Sequence, residues 1–314
     1  MEVSKNSDNN ELIDISSVMI PREIKNNINN LSYSGNLRKN SNILYLWSEI
    51  RNLIDPKNII SDVIKEKVTL HGFTIISGLP FDNDIPATPI ELIKNKPTGK
   101  FLTEKNLIYL SSIFGKPHSY IEENNGEYIH DLYPIKGNEK IAAGTGSEVD
   151  LELHTEIAFD TNKPDYILLT AVRNRDGQNV PTTLVNVNNV LNKLNENELR
   201  ILENSNFFIR APYSFSKGDD IYYRRSLINL KDGNRLSFNF NPGVTYCITA
   251  ESKILFEKLR NMFTKNIHKA FLEPGVAIII DNNQMLHGRN SFIPKFDGKD
   301  RWLQRIYVKN RRLK

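Results

Sequence analysis

The 314-residue chain has only one cysteine, Cys247, and it has no long apolar run. One cysteine excludes an intrachain disulfide and a zinc site built from several thiolates, so any metal must be held by nitrogen and oxygen ligands. A membrane-spanning helix needs about 18 or more consecutive apolar residues, and no such stretch occurs. The first residues, MEVSKNSDNNELID, are polar, whereas a secretory signal has a basic start and an apolar run. We therefore expect a cytoplasmic protein without a membrane partner.

The chain also lacks a strong excess of charge of either sign. Its 41 Lys and Arg residues against 37 Asp and Glu residues give a net charge of +4, and the basic residues are scattered among acidic ones. Nucleic-acid-binding proteins typically concentrate basic residues on one face or in one tract. We therefore expect a small molecule, and not nucleic acid, as the partner. The oligomeric state stays open.

Short β-type runs separated by turn residues dominate the sequence after about residue 128. Strands are predicted at 128–132, 166–172, 182–187, 236–240, 276–280 and 302–308. Helices are predicted at 43–54, 103–114, 187–202 and 252–268, and residues 68–80 are interpreted as a strand, a turn and a second strand. Many short strands without regular βαβ alternation favour a mainly β sandwich or barrel with flanking helices. We predict a flexible segment at 1–20 and a single domain over 21–314.

A candidate metal site follows from two histidines and one glutamate. His154 and Glu156 are two residues apart, and on an extended segment this spacing turns both side chains to one side. His287, after a predicted strand and turn, supplies a second nitrogen. Two histidines and one carboxylate form the facial triad of non-heme Fe(II) oxygenases. A His-X-Glu pair by itself is weak evidence for a metal site, because such histidines are often hydrogen-bonded structural residues. The residues around His287 therefore bear on which interpretation is favoured.

Arg301 strengthens this interpretation because it lies fourteen residues after His287, beyond the turn at Asp297 and Gly298. A strand entered after such a turn can run back beside the metal. The guanidinium of Arg301 would then face a carboxylate bound near the metal. Its planar fork of donors suits the recognition of a carboxylate.

Several motifs together resemble a known family. They are HTEIAF at 154–159, PDYILL at 164–169 with Arg173 and Asn174, PTT at 181–183, HGRNSF at 287–292 and DGKDRWLQR at 297–305. Over roughly residues 60 to 310 the chain resembles the clavaminate synthase-like branch of the iron(II) and 2-oxoglutarate-dependent oxygenases, and more distantly taurine dioxygenase. The likeness is greatest to the arginine, asparagine and lysine hydroxylases of peptide-antibiotic pathways.

The resemblance implies roles for individual residues. The triad would bind Fe(II) and carry catalysis, Arg301 would pair with the distal carboxylate of 2-oxoglutarate, and Thr182 would place a hydroxyl against the same carboxylate. Arg305 would hold the α-carboxylate of the substrate, and Glu156 would also reach its α-amino group. The implied fold is the double-stranded β-helix, a distorted jelly roll with helices outside. The implied reaction couples reduction of O2 to decarboxylation of 2-oxoglutarate to succinate and CO2.

The expected function is therefore hydroxylation, at Cβ or Cγ, of the side chain of a free polar or basic L-amino acid. The alternatives are the same chemistry on a carrier-bound aminoacyl group or another small substrate, and a non-catalytic jelly-roll binding protein. An inactive descendant would have no reason to keep all of the triad and Arg301, which argues against the last.

The substrate side chain is left open by the sequence. Asn239 and Asn241 stand where the arginine hydroxylases carry two aspartates, so a guanidinium is disfavoured and a neutral polar side chain such as that of citrulline, glutamine or asparagine is suited. Glu123 and Asn124, in an acidic loop, stand where relatives contact the substrate, and this loop would suit the ammonium group of lysine or ornithine. Residues 212–230 correspond to a variable lid over the site.

Overall fold

The computed structural model describes residues 16–32, 40–53, 58–92, 101–174, 180–231 and 235–310. Within these ranges the helices are α1 Arg22–Asn30, α2 Asn40–Leu53, α3 Ile59–His71, α4 Leu102–Phe114, α5 Asn188–Leu191, α6 Glu196–Glu203 and α7 Ala250–Thr264. The first eight strands are β1 Ser17–Met19, β2 Phe73–Ser77, β3 Gly115–His118, β4 Ile129–Leu132, β5 Leu151–His154, β6 Tyr166–Arg173, β7 Thr182–Asn186 and β8 Phe207–Arg210. The remaining strands are β9 Tyr222–Arg225, β10 Ile228–Lys231, β11 Arg235–Phe238, β12 Thr245–Cys247, β13 His268–Ala270, β14 Ala277–Asp281, β15 Met285–Arg289 and β16 Trp302–Asn310. None of the described helices combines the length and the apolar character needed to span a membrane.

Two sheets carry the fold. The larger has the strand order β1-β2-β14-β6-β16-β3, with β4 also paired to β16, and the smaller has the order β13-β7-β15-β5. Except for the parallel pair β1 and β2, the pairs in these two sheets are antiparallel. Most strands that are neighbours in a sheet are distant in sequence. In the smaller sheet, for example, β5 lies beside β15.

The two sheets pack face to face through an apolar layer. Ile278 and Ile280 of β14 and Leu303 of β16 meet Leu184 of β7 and Met285 of β15 in one buried cluster. Because side chains alternate along a strand, Ile279 of β14, which lies between Ile278 and Ile280, points outward, and it is also apolar. The arrangement is the predicted jelly roll, and the predicted fold class is confirmed.

The outer face of the larger sheet is covered by helices. Ile279 of β14 and Ile306 of β16 pack in a second buried cluster with Trp47 of α2, Ile64 of α3 and Leu107 of α4. A third cluster joins the outer face of the smaller sheet to α5, α6 and α7. Strands that are apolar on both faces read as continuous hydrophobic runs, which is the pattern of AIIID in β14.

Some predicted elements differ from the structure. Residues 68–71 are the last turn of α3 and not a strand, because this helix continues to Gly72, whose φ of 83° ends it in the left-handed region. The helix predicted at 187–202 is two helices, and Asn195 starts the second with a capping box. The helix predicted to end at His268 stops at Thr264, and His268 begins β13.

The boundary of the predicted flexible segment also changes. Residues 16–20 are described, and Ser17–Met19 pair in parallel with β2, with Val18 and Ile20 buried. This part of the predicted segment thus belongs to the edge of the larger sheet, where an added strand gains ladder hydrogen bonds. The rest of the predicted segment, residues 1–15, lies outside the described residues.

Candidate metal centre and its cavity

The three predicted metal ligands meet at one point in the smaller sheet. His154 ends β5 and lies directly opposite His287 of β15 in the antiparallel register, with 4.5 Å between their ring centroids. Oε1 of Glu156 is 3.6 Å from Nε2 of His287 and 3.9 Å from Nε2 of His154. One ligand atom from each residue lies within 4.8 Å of the other two. A single ion between them would contact all three.

Asn282 positions the glutamate, although sequence reasoning assigned it no role beyond a turn. Glu156 lies just beyond the end of β5. The backbone N–H of Glu156 donates to Oδ1 of Asn282 at 2.8 Å. The side-chain amide of Asn282 donates in return to the backbone carbonyl of Glu156 at 3.1 Å and to that of Pro164 at 2.9 Å. Asn282 is fully buried in the turn before β15. The segment that carries the carboxylate is thereby tied to the strand that carries His287.

The protonation of the three side chains suits a divalent cation. Nδ1 of His154 donates to the carbonyl of Glu152 at 2.8 Å, which leaves the lone pair of Nε2 facing the cluster. Burial, and then the neighbouring His154, lower the pKa of His287 to about 4, so its imidazole is neutral at pH 7. Burial would raise the pKa of Glu156, but Arg305 and the two histidines hold it well below its ordinary value. Two imidazoles and one carboxylate are the donor set of non-heme Fe(II) sites.

Arg301 is a buried cation facing the same cavity. It immediately precedes β16, its side chain is 7% exposed, and no hydrogen bond or ion pair to it is found among the described residues. Burial, and then the charge of Arg289, lower the pKa of Arg301 to about 9. A buried guanidinium without a partner is costly, so this side chain indicates a site for an anionic ligand. Thr182, at the start of β7, lines the cavity together with it.

The cavity has a volume of about 610 Å³, which is ample for two small molecules. Its described lining includes the triad, Arg301 and Thr182, and also Glu123, Asn124, Asn241 and Arg305. The structure thus brings together nearly all of the predicted site residues. Pro212, Ser214 and Phe215 line it from the predicted lid segment, and Phe215 packs edge-on against Tyr120 with 5.4 Å between ring centroids.

Asn239 is the exception among the predicted site residues. It is buried but is not among the described residues that line the cavity, and its amide donates instead to the carbonyl of Ser226 at 3.4 Å. The prediction is therefore corrected for Asn239. The regular strand ends at Phe238, so the alternation that placed Asn239 on the same face as Asn241 does not bring both to the cavity.

Arg305 of β16 joins two carboxylates at the cavity wall. Its Nη1 donates to Oε1 of Glu156 at 2.5 Å, and its Nη2 donates to Oε1 of Glu123 at 2.7 Å and to Nδ1 of His130 at 3.0 Å. Burial opposes the charge of this arginine, but Glu156 and then other neighbours raise its pKa. Burial likewise opposes the charge of Glu123, but Arg305 lowers its pKa below the ordinary value. All three groups are therefore charged at neutral pH.

Tyr307 is a further member of this cluster that sequence reasoning missed. Its hydroxyl lies 3.2 Å from Oε2 of Glu156 and 3.3 Å from Oε1 of Glu123, so both carboxylates share its single proton. Burial, opposed only in part by Arg305, raises the pKa of Tyr307 well above its ordinary value, so the hydroxyl stays a donor. A residue two positions beyond Arg305 on a strand shares its face, and this spacing is a signal that could have found it.

The sequence and the fold both match known proteins. The chain is 27% identical over 263 residues to an enduracididine beta-hydroxylase of Streptomyces hygroscopicus, covering 76% of each chain. It is also 27% identical over 243 residues to an L-asparagine oxygenase of Streptomyces coelicolor, covering 76% of this chain and 71% of that one. The crystal structure of the non-heme iron oxygenase OrfP in complex with Fe and alpha-ketoglutaric acid superposes with a TM-score of 0.79 at 25% identity, covering 93% of both chains.

The match to a family covers most of the chain. The sequence model of the family described as taurine catabolism dioxygenase TauD, TfdA family matches residues 49–307. This range contains β5, β7, β15 and most of β16, which carry the cavity residues. The chain therefore belongs to the TauD/TfdA family of dioxygenases.

Proposed function

We propose that this protein is an Fe(II)- and 2-oxoglutarate-dependent hydroxylase that acts, at Cβ or Cγ, on the side chain of a free polar or basic L-amino acid. The observation that carries the proposal is a cavity with two contrasting features. One is a cluster of two imidazoles and one carboxylate. The other is the buried guanidinium of Arg301, which has no partner among the described residues.

In this proposal His154, Glu156 and His287 hold the iron, which, when bound with 2-oxoglutarate and O2, supplies the oxidation of an unactivated carbon. Arg301 pairs with the distal carboxylate of 2-oxoglutarate, and the Thr182 hydroxyl donates to the same group. This ion pair removes the energetic cost of burying an unpaired charge at Arg301, and this gain favours the binding of 2-oxoglutarate. The protein contributes orientation and the exclusion of water.

The cluster around Arg305 is suited to a zwitterion. The substrate α-carboxylate takes the place of a glutamate beside the Arg305 guanidinium, and the α-amino group takes the place of that guanidinium beside Glu123 and Glu156. This exchange replaces ion pairs within the protein by ion pairs between the protein and the substrate, so no buried charge is left without a partner. The hydrogen bonds of Arg305 to Glu123 and Glu156 support this assignment.

The relatives support the substrate class. An enduracididine beta-hydroxylase and an L-asparagine oxygenase are both named for amino acids. The motifs and the cavity residues discussed above lie within the family match. We further propose a cytoplasmic location, a single domain over residues 21–314, and a lid function for residues 212–230.

An amino acid panel tests the proposal. The full chain is incubated aerobically with Fe(II), ascorbate, 2-oxoglutarate and one L-amino acid at a time, and succinate and the mass of the amino acid are measured. We expect at least one free amino acid to raise succinate formation and to gain the mass of one oxygen atom. If none does so, the free amino acid is the wrong substrate. Turnover that appears only with an aminoacyl thioester would assign a carrier-bound substrate instead.

A further inference from the structure

The charges that line the cavity discriminate between classes of amino acid side chain. This inference rests on the proposed function and names the substrate more narrowly. The described residues that line the cavity include four carboxylates, Glu123, Asp131, Glu152 and Glu156. A substrate whose side chain carries a positive charge needs one of them, beyond those that hold its α-amino group.

Each of these carboxylates already has a task. Glu123 and Glu156 are bound to Arg305 and face the proposed α-amino site. Oδ1 of Asp131 accepts from Nε1 of Trp302 at 2.9 Å and from Nε2 of Gln304 at 3.1 Å, both buried.

Glu152 is bound to Nη2 of Arg260 at 2.5 Å, and its side chain is 47% exposed. The described lining therefore offers a lysine, ornithine or arginine side chain no buried carboxylate beyond those already engaged. A cation there would be desolvated without compensation.

The described residues that line the cavity also include four arginines, and one of them has no such task. Three of the four have partners or a proposed ligand. Arg289 donates to the backbone carbonyls of Gly146, Val149 and Asn290, Arg301 faces the cosubstrate, and Arg305 faces the α-carboxylate.

The fourth, Arg210, ends β8, and its buried Nε has no hydrogen-bond partner among the described residues. Its guanidinium lies over the ring of Tyr213, 5.1 Å from the ring centroid. Its Nη1 lies 3.5 Å from Asp220, and the Asp220 side chain is 59% exposed. Such an exposed pair contributes about 0–1 kcal/mol and is easily exchanged.

Backbone hydrogen bonds link Arg210 to the metal centre. The N–H of Thr155, between two of the metal ligands, donates to the carbonyl of Phe240. The next residue, Asn241, starts a turn in which its carbonyl accepts from Val244, and the carbonyl of Val244 accepts from the N–H of Arg210. Asn241 and Arg210 both line the cavity, and these backbone hydrogen bonds connect their segments to Thr155. Their amide and guanidinium groups both offer N–H donors.

We propose that the substrate side chain ends in a carboxylate or carboxamide oxygen, that Arg210 donates to this oxygen, and that Arg210 is a specificity-determining residue. Lysine, ornithine and arginine are then poor substrates, because they would bring a positive charge toward Arg210. Arg210 takes no part in holding iron or 2-oxoglutarate. Its loss therefore acts on substrate binding more than on the chemical step.

The test measures succinate formation with aspartate, glutamate, asparagine and glutamine against lysine, ornithine and arginine. We expect the first group to have the higher kcat/KM. With the best substrate, Arg210→Gln should raise KM at least about tenfold and change kcat much less, which corresponds to one lost charge-assisted hydrogen bond. Arg210→Lys should restore part of the affinity. Arg224→Gln is the matched control, because Arg224 is exposed, bonds the carbonyl of Ser205 and is not among the described lining residues.

The outcomes separate this inference from the proposed function. If lysine, ornithine or arginine has the highest kcat/KM, the inference is overturned while the proposed function stands. If the first group is preferred but Arg210→Gln leaves KM unchanged, the assignment of Arg210 is overturned. If no free amino acid stimulates turnover, the proposed function fails and takes the inference with it.

Discussion

Replacing Arg301 with glutamine should weaken 2-oxoglutarate binding and, at the same time, stabilise the ligand-free protein. Burial lowers the pKa of Arg301 to about 9, so it binds its proton roughly a thousandfold more weakly than a free guanidinium does. At about 1.4 kcal/mol per factor of ten, the buried charge destabilises the ligand-free fold by on the order of 4 kcal/mol. This energy is fully present at pH 7, because the side chain is still protonated there.

Glutamine removes the charge but leaves a buried amide, which costs about 1–3 kcal/mol if it is unpaired. The net expectation is about 2 kcal/mol of stabilisation, or a melting temperature of the ligand-free protein that is roughly 4 °C higher. In the complex, losing one partner of a buried ion pair costs about 3–5 kcal/mol. The dissociation constant for 2-oxoglutarate should therefore rise by about a hundredfold or more.

Anaerobic titration of the Fe(II) protein with 2-oxoglutarate, followed by the visible charge-transfer absorption, measures the affinity, and thermal unfolding measures stability. Arg173→Gln is the control, because Arg173 lies opposite Trp302 in the larger sheet and donates to Thr88 and to the carbonyl of Gly298, each at 2.7 Å. This variant should lose stability and keep its affinity. The reasoning is refuted if Arg301→Gln binds 2-oxoglutarate within about threefold of the unmodified protein, or if its ligand-free form melts at a lower temperature.

Four further expectations follow from the same geometry. The affinity for 2-oxoglutarate should fall as pH rises above about 9, because Arg301 in the ligand-free protein loses its proton there; a constant affinity between pH 8 and pH 10 would contradict this. His154→Ala should abolish Fe(II) binding in calorimetry and leave the far-UV circular dichroism unchanged; retained turnover at the native rate would show that the metal assignment is wrong. Tyr307→Phe should weaken Fe(II) binding about tenfold by freeing the carboxylate ligand to rotate, whereas Tyr120→Phe, which loses only a bond to a backbone carbonyl, should not; equal effects of the two variants would argue for general packing. Asn282→Ala should lower the free energy of unfolding by about 3 kcal/mol in urea titrations, because three buried hydrogen bonds are lost, and it should also weaken Fe(II) binding; an unchanged metal affinity would limit its role to the fold.

Strand prediction succeeded where a short apolar run is bounded by turn residues, as in β14, which lies between the turn at Gly275 and the one at Asn282. It failed at residues 68–71, where VTLH is rich in β-type residues but belongs to α3. There the packing of Ile64 and Val68 against the larger sheet outweighs local propensity. Local sequence could not supply that contact, because the sheet residues come mainly from distant strands.

The metal centre was predictable because its chemistry is local. His154 and Glu156 are neighbours in sequence, and only the end of β15 and one loop separate His287 from Arg301. Asn239 was misplaced because alternation was continued beyond the last residue of the regular strand. Tyr307 was missed although its spacing from Arg305 puts both on one face of β16. Arg210 escaped notice because an isolated arginine carries no local signal of what it faces.

The sequence by itself determined the strand-rich class and the residue types able to hold iron and a dicarboxylate, because periodicity and ligand chemistry are properties of short segments. Only the tertiary structure decided which groups share the cavity and how their charges are matched. Residues more than a hundred positions apart, such as Glu156 and Arg305, are carried by different sheets, and the face-to-face packing of the two sheets pairs them. Whether a buried charge has a partner depends on that pairing, and so does the charge of the side chain the cavity can accept.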